Sequence, residues 1–294
     1  MSRTQAKLHR MYDINGWLFV SIAVGLVALM TLYPIVSSLW LSLHSGKGVV
    51  TKFVGFGNVI RLFYDPVFKQ ALCNTLIFLV VQVPIMILLS LALSSCLNAP
   101  QLKFRSWFRL AIFLPCVTSL VAYSILFKSM FGFDGVLNVA LLWTGIIADP
   151  IPWLSDPFWA KVTIIIAITW RWTGYNMIFY LAAMQNIDKS IYEAARIDGV
   201  NPIKQFFFIT IPLLKPVILF TSITSTIGTL QLFDEVVNIT SGGPANSTMT
   251  LSMYIYNLSF KFVPNFGYAA TVSYVIVTFA AVLALIQFKV AKDK

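Results

Sequence analysis

Arg171 stands in the middle of an apolar stretch, within TWRWTGYNM at Thr169–Met177. An ionisable side chain in a membrane-length run is costly to hold there, which makes it a functional candidate. Trp170, Trp172, Tyr175 and Asn176 surround it with aromatic faces and an amide. Carbohydrate sites use that mixture, and so does ordinary helix packing. Asp234 and Glu235 lie near the outer end of a later apolar run, where an acidic group could neutralise Arg171. Other chemistries lack carriers. Cys73, Cys96 and Cys116 fall in or at the ends of apolar runs and read as small buried hydrophobes, and His9 and His44 lie far apart, so no metal site is expected. No Ser/His, paired-carboxylate or HExxH arrangement occurs among the apolar runs, which argues against an intramembrane enzyme. No G-x-x-x-x-G-K-[ST] occurs either; SGKGV at Ser45–Val49 lacks the first glycine and the hydroxyl residue after lysine. A nucleotide phosphate would have to be held by another chain.

These residues belong to a chain of 294 residues that is 58% apolar and 11% charged. A soluble domain is nearer a quarter charged, so the chain reads as an all-α integral membrane protein. Six stretches reach the roughly 20 residues that cross a bilayer. They are Trp17–Leu43, Ala71–Leu97, Trp107–Phe127, Trp159–Met184, Val217–Val237 and Tyr268–Phe288. Residues 1–16 are expected as an N-terminal tail, 17–288 as one six-helix transmembrane domain and 289–294 as a C-terminal tail. Arg3, Lys7 and Arg10 precede the first stretch, but it is too long for a signal peptide and no small-residue cleavage site follows, so it is expected to be retained. With both termini inside, the inner segments hold thirteen Lys and Arg and the outer segments seven. That bias places both termini in the cytoplasm. The net charge of +10 follows from these basic loops. No basic helix stands clear of the apolar runs, so the expected partner is the lipid bilayer and not nucleic acid. Pro34, Pro84 and Pro115 are expected to kink their spans, and Trp17, Trp107, Trp153 and Trp159 to sit in interfacial belts. DPIPWLSDP at Asp149–Pro157 reads as a turn-rich outer segment.

One polar element interrupts this pattern on the inner side, SIYEAARIDGVNPIKQFFFITIP at Ser190–Pro212. Ser190 with Glu193 reads as a capping box and Gly199 as a helix stop. Asn201 and Pro202 read as a second N-cap and first helical residue, with Pro212 ending that helix. Ala194 and Ala195 would allow close approach of another surface. The phenylalanines Phe206 to Phe208 would anchor the second helix to the membrane face or to neighbouring spans. Glu193 is either a capping partner alone or part of a docking surface. Docking of a cytosolic partner explains why so short a loop is so ordered.

The pattern E-A-A, three residues, Gly, nine residues, Ile-x-Ile-Pro resembles the EAA loop of the permease subunits of bacterial binding-protein-dependent ABC importers. The family pattern ends I-x-L-P, and this chain carries Ile211 in place of the leucine. LCNTLIF (Leu72–Phe78), WLSDP (Trp153–Pro157), TWRWTGYNM and TSGGPANST (Thr240–Thr248) are similar to the sugar-permease branch, of the maltose, glycerol-phosphate and lactose or arabinose types. The likeness covers most of the chain after Pro66. It implies a six-span core in the bacterial inner membrane, forming half of a translocation pathway for a sugar. A second permease in a heterodimer, two ATP-binding subunits and an extracytoplasmic solute-binding protein are the implied partners. It implies no cofactor on this chain, with ATP and Mg on the ATPase. Through the coupling loop, residues 188–212, it assigns ATPase coupling to Glu193, Ala194, Ala195, Gly199, Ile209 and Pro212. Gapless alignment with maltose-type permeases puts Ser225, Thr229 and Leu232, which share a helical face at i, i+4 and i+7, on the sugar-lining side. The same alignment points to Ile168 and Trp172, and to Cys116 and Leu120. The glycine-proline turn reads as a gate or binding-protein-facing loop, in which a bulky residue at Gly243 should impair uptake. The rival reading is an ion-coupled secondary carrier, but such carriers show internal repeats and no half-to-half repeat is found here. A membrane protein with a purely structural role would leave the inner loop without a purpose.

Overall fold

The computed structural model describes residues 3–48, 50–99 and 101–292. Helix α1 (Arg3–Val27), a π-helical turn (Ala28–Leu32) and α2 (Tyr33–Ser42) run on without a break. Pro34 accounts for the π turn: it has no N–H to give and its ring crowds the preceding turn, so the ladder takes an extra residue and the Tyr33 N–H reaches the Ala28 carbonyl. From Arg3 onward the expected N-terminal tail is therefore helix; residues 1 and 2, like 293 and 294 of the expected C-terminal tail, lie outside the described residues. The hairpin β1 (His44–Lys47) and β2 (Val50–Phe53), with His44 opposite Phe53, departs from the all-helical expectation.

The chain continues through α3 (Gly57–Leu62), α4 (Pro66–Asn98), α5 (Arg105–Val117), α6 (Leu120–Met130), α7 (Val136–Trp143) and α8 (Pro157–Gln185). It then forms α9 (Lys189–Ile197), α10 (Pro202–Gln205), α11 (Ile211–Leu230), α12 (Leu251–Tyr256) and α13 (Phe266–Lys292). Two Asp-Pro pairs start the long packed helices. Asp65 Oδ1 accepts from the N–H groups of Val67 and Phe68 at 2.9 and 3.1 Å, and Asp156 Oδ1 from those of Phe158 and Trp159 at 2.9 and 3.0 Å. Each is an N-cap followed by proline at the first helical position, where no N–H is needed.

Among the described residues four helices are long and apolar enough to cross a membrane: Asn15–Ser42, Pro66–Asn98, Pro202–Leu230 and Phe266–Lys292. Counting α5 with α6 raises this to as many as five. Helix α8 is 29 residues long, but Lys161, Arg171 and Asn176 dilute its apolar character. The third expected span, Trp107–Phe127, is broken: α5 and α6 meet at a bend of 99°. Pro115 leaves the end of α5 short of a hydrogen bond, Thr118 Oγ1 donates to the Pro115 carbonyl at 2.7 Å, and Thr118 and Ser119 are extended. The fifth expected span, Val217–Val237, stops at Leu230, and Thr250 Oγ1 takes over by donating to the Leu232 carbonyl at 2.6 Å.

Lipid tails are as apolar as leucine, so packing and polar contacts, more than hydrophobic burial, hold such helices together. A ladder of buried polar pairs joins α4, α8 and α11. Tyr180 and Thr221 meet at 2.6 Å, Asn176 Nδ2 donates to Ser225 Oγ at 3.3 Å, and Thr229 Oγ1 donates to Gln82 Oε1 at 3.0 Å. Ser90 Oγ also donates to the Thr173 carbonyl at 2.8 Å. Helices α5 and α8 touch backbone to backbone at Gly174, where a Cβ would overlap the Ile112 carbonyl oxygen and sit 2.7 Å from its carbon. The bundle has two ends. At the near end lie α9 and α10, above a small cluster of Leu91, Tyr180, Met184 and Leu214. At the far end the loops gather over the larger cluster, which includes Phe78, Ile164, Leu251 and Tyr268. Trp153 belongs to that cluster and not to an interfacial belt: it is buried, and its Nε1 donates to Asn138 Oδ1 at 2.8 Å. Cys73 and Cys96 are exposed and Cys116 half-buried, so their expected burial inside the chain is not found.

Candidate functional site

A cavity of about 600 Å³ opens where α11 stops, walled by α4, α6, α8 and α11. Ser225, Thr229, Leu232, Ile168, Trp172 and Leu120 all line it. The seventh pathway residue, Cys116, is not part of the wall; it lies in the last turn of α5, at the break between α5 and α6. Tyr175 and Asn176 also line the cavity, whereas Trp170 stacks on Tyr123 at 5.8 Å between ring centroids and takes no part. Gln82, Met86, Gly228, Gln231 and Phe233 complete much of the wall and were not singled out from the sequence. Gln82, Met86 and Gly228 lie on α4 and α11, and Gln231 and Phe233 just past the end of α11, positions that need the packing to be known.

Arg171 lines the cavity together with Asp234 and Glu235. Arg171 is 8% and Glu235 5% exposed. Their closest atoms, Nε and Oε1, are 4.0 Å apart, too far for the 2.7–2.9 Å of a charge-assisted hydrogen bond. The guanidinium also lies 5.1 Å from the centroid of Tyr123 and 5.7 Å from that of Trp172, within range of cation–π attraction. Arg171 Nε and Nη1 and Asn176 Oδ1 have no hydrogen-bond partner among the described residues. The question left open by the sequence, whether an acidic neighbour compensates Arg171, resolves to Glu235.

At the near end the Ser190–Pro212 element is a capped helix pair, with two changes from its reading. The N-cap of α9 is Asp188, not Ser190: Asp188 Oδ1 accepts from the Ser190 N–H at 2.9 Å. Hydrogen bonds from Ser190, its backbone N–H first, hold the Asp188 carboxyl below its ordinary value. Gly199 has φ +72° and closes α9 as expected. The Val200 N–H bonds to the Ala195 carbonyl and the Gly199 N–H to that of Arg196, a Schellman pair. Asn201 caps α10 through the Lys204 N–H at 2.8 Å. Pro212 does not end the helix. A π-helical turn, Phe206–Thr210, absorbs it, and the Ile211 N–H reaches the Phe206 carbonyl. Pro202–Leu230 is thus one continuous 29-residue helix. Tyr192 bonds Thr210 at 2.9 Å and Gln205 Nε2 donates to the Val200 carbonyl at 2.7 Å, so the pair is braced. Ala195 is buried between the helices, while Glu193 and Ala194 face outward with Ile191 and Ile197. Ile209 is half-buried and Pro212 exposed. Of the three phenylalanines, Phe206 packs on the near-end cluster and Phe207 and Phe208 are exposed.

At the far end LCNTLIF and TSGGPANST, far apart in sequence, meet. Asn74 Nδ2 donates to the carbonyls of Asn246 and Met249 at 2.9 and 3.0 Å, and Thr75 Oγ1 accepts from the Leu251 N–H at 3.1 Å. The glycine the turn requires is Gly242, with φ +80° and a Met253 side chain 2.9 Å from any added Cβ; at Gly243 a Cβ would make only ordinary contact. Nearby, Asp65 Oδ2 accepts from the hydroxyls of Tyr254 and Tyr268, the latter at 2.6 Å. Burial opposes ionisation of Asp65, but those two hydroxyls with the N–H groups of Phe68 and Val67 outweigh it and hold the carboxyl below its ordinary value.

Comparison with known proteins places this arrangement. Residues 55–292 match the family described as binding-protein-dependent transport system inner membrane component. The chain is 66% identical over 293 residues to the lactose transport system permease protein LacF of Rhizobium radiobacter, covering 99% of this chain and 98% of that one. It is 32% identical over 261 residues to the arabinooligosaccharides transport system permease protein AraP of Halalkalibacterium halodurans, covering 88% and 81%. A bacterial ABC transporter involved in import of the acidic polysaccharide alginate, known from its crystal structure, contains a chain of the same fold, with a TM-score of 0.82 at 22% identity and 99% of both chains covered. The protein is a multi-pass membrane permease subunit and not an enzyme: the chain belongs to the family of binding-protein-dependent transport system inner membrane components.

Proposed function

We propose that the chain forms half of the pathway by which an ATP-driven importer moves a carbohydrate across the bacterial inner membrane in six crossings. An outer binding protein delivers the sugar, a second permease forms the other half, and two ATP-binding subunits hold ATP and Mg and dock on α9 and α10. Both termini and α9 lie on the cytoplasmic side, as the thirteen-to-seven bias of Lys and Arg favours. The observation that carries the reading is the continuity of Pro202–Leu230: the helix that begins in the capped pair is the same one whose Ser225 and Thr229 wall the cavity. The cavity offers hydroxyl, amide and aromatic groups together, as saccharides require. The relatives that transport lactose and arabinooligosaccharides support a carbohydrate as the solute.

Cysteines at Ala194 and Ile197, both exposed, test the docking: in membranes of cells expressing the whole importer they should cross-link to an ATP-binding subunit. In proteoliposomes, lactose uptake should require ATP, the second permease and the ATPase together. Uptake by this chain alone, driven by an ion gradient, would establish the secondary-carrier reading in its place.

A further inference from the structure

A second, open groove of about 530 Å³ lies between α11 and α13 at the near end of the bundle, and none of its residues lines the larger cavity. Lys215, Pro216 and Leu219 of α11 form one wall, and Phe288, Lys289 and Lys292 of α13 the other. Among the described residues no carboxylate lines it, and the one ion pair is that of Arg171 with Glu235. Lys289 and Lys292 lie in the last turn of α13, where cations suit the terminal carbonyls. Lys215 has no such reason: it stands inside the continuous Pro202–Leu230 helix. Three like charges gathered in one groove repel one another, and an anion seated among them turns that cost into attraction. Val282, Leu285, Lys289 and Lys292 recur at i, i+3, i+7 and i+10, one stripe of α13. Val282 and Leu285 are 48% and 69% exposed. The stripe is thus cationic at the helix end and apolar a turn or two deeper, the profile of a phospholipid from headgroup to acyl chain.

We propose that this groove binds an anionic phospholipid: the phosphodiester sits among Lys215, Lys289 and Lys292 while the acyl chains lie along Leu219, Leu285 and Val282. Basic pockets between membrane helices hold acidic headgroups in this way. A soluble phosphate would use the three cations but not the apolar stripe beneath them. A zwitterionic lipid carries an ammonium that the lysines repel, so it gains less. The bound lipid bridges α13 to the continuous helix that begins in the capped pair. Each lysine near an acidic headgroup is worth about fivefold in affinity, so the three together amount to roughly a hundredfold.

The test uses the full chain, purified in detergent with the subunits it retains and stripped of lipid, with native mass spectrometry to follow lipid uptake. Phosphatidylglycerol is titrated against phosphatidylcholine of the same acyl chains, and glycerol 3-phosphate serves as the soluble anion. The native protein should half-saturate with phosphatidylglycerol at a concentration lower by about tenfold or more than with phosphatidylcholine. Excess glycerol 3-phosphate should not displace it. Lys215→Gln, Lys289→Gln and Lys292→Gln together should abolish that preference. Lys103→Gln with Arg105→Gln, two exposed cations where α4 hands over to α5, should keep it. On the native protein, a phosphatidylglycerol with a diazirine in its acyl chain should label residues 215–219 and 282–292. Equal uptake of the two lipids by the native protein, or labelling confined to other helices, overturns the proposal even where a variant fails to assemble. Displacement by glycerol 3-phosphate gives the groove to a soluble anion and overturns the lipid. Equal loss of preference in both sets of variants traces the binding to general surface charge and overturns the groove.

Discussion

Replacing Gly174 with alanine isolates the backbone contact between α5 and α8. A methyl there would overlap the Ile112 carbonyl oxygen and lie 2.7 Å from its carbon and 3.0 Å from Phe113 Cα. Ordinary carbon contact begins near 3.5 Å, so clearing the carbonyl carbon alone takes a retreat of about 0.8 Å, and the overlapped oxygen demands more. Every obstructing atom is backbone, so no rotamer change relieves it. Retreat would also pull Ile112 from the cluster of Leu97, Met177 and Leu181. Overpacking of this kind costs about 1–3 kcal/mol, a factor of roughly 5 to 150 in an equilibrium constant. Alanine also favours helix over glycine by about 1 kcal/mol, which would mask part of the loss. Gly228→Ala supplies the reference, because a Cβ at Gly228 has open space and gains the propensity alone. The assay is thermal unfolding of the purified assembly followed by tryptophan fluorescence. Gly174→Ala should melt below Gly228→Ala by roughly 2–4 °C for each kcal/mol. A Gly174→Ala protein that melts with or above Gly228→Ala refutes the backbone contact.

Gly199→Val forces a β-branched residue to φ +72°, at a cost of about 1–3 kcal/mol. ATPase recovered in a detergent pull-down should fall, and Gly199→Asn should lose less; equal recovery from all three proteins contradicts a docking role for the α9 terminus. Asp65→Ala removes the α4 cap and leaves two buried phenols unpaired, costing about 2–4 kcal/mol. The folded carboxyl titrates below its ordinary value, so its contribution is complete above the unfolded pKa of about 3.9 and is lost as pH falls through the lower folded value. Melting temperatures should therefore drop below about pH 4 in the native protein and less so in Asp65→Asn; parallel curves would remove Asp65 as the cause. Asn74→Leu strips donors from the Asn246 and Met249 carbonyls, about 1–3 kcal/mol, and should open the Thr240–Thr248 turn to protease in the folded protein. An equally resistant turn would show that Asn74 does not hold it.

What the sequence made legible was the local chemistry. Gly199, Asn201 and Pro202 behave as their turn and cap roles dictate, because each acts within a few residues of itself. Pro212 departs from its expected role for the opposite reason: a π turn absorbs it, and whether a helix stops or bulges depends on what packs beyond the proline. Ser190 lost the cap to Asp188 by two residues, a choice between two good N-cap types that spacing to Glu193 alone does not settle. The Asp-Pro starts of α4 and α8 carried a readable signal, with WLSDP read only as a turn. The cavity was legible as a face of α11, but its Gln82 and Met86 walls are contributed by α4, about 140 residues earlier, and no pattern within α4 marks them.

The 29 residues from Pro202 to Leu230 make a rod about 43 Å long. Ser225 stands roughly 35 Å along it from the end that the helix pair holds. A lever that long converts a tilt of a few degrees at one tip into a sideways swing of an ångström or more beside the cavity, with no relay of side chains between. The extra residue at Phe206–Thr210 is the natural pivot, because the backbone there already departs from the regular ladder and bends most cheaply.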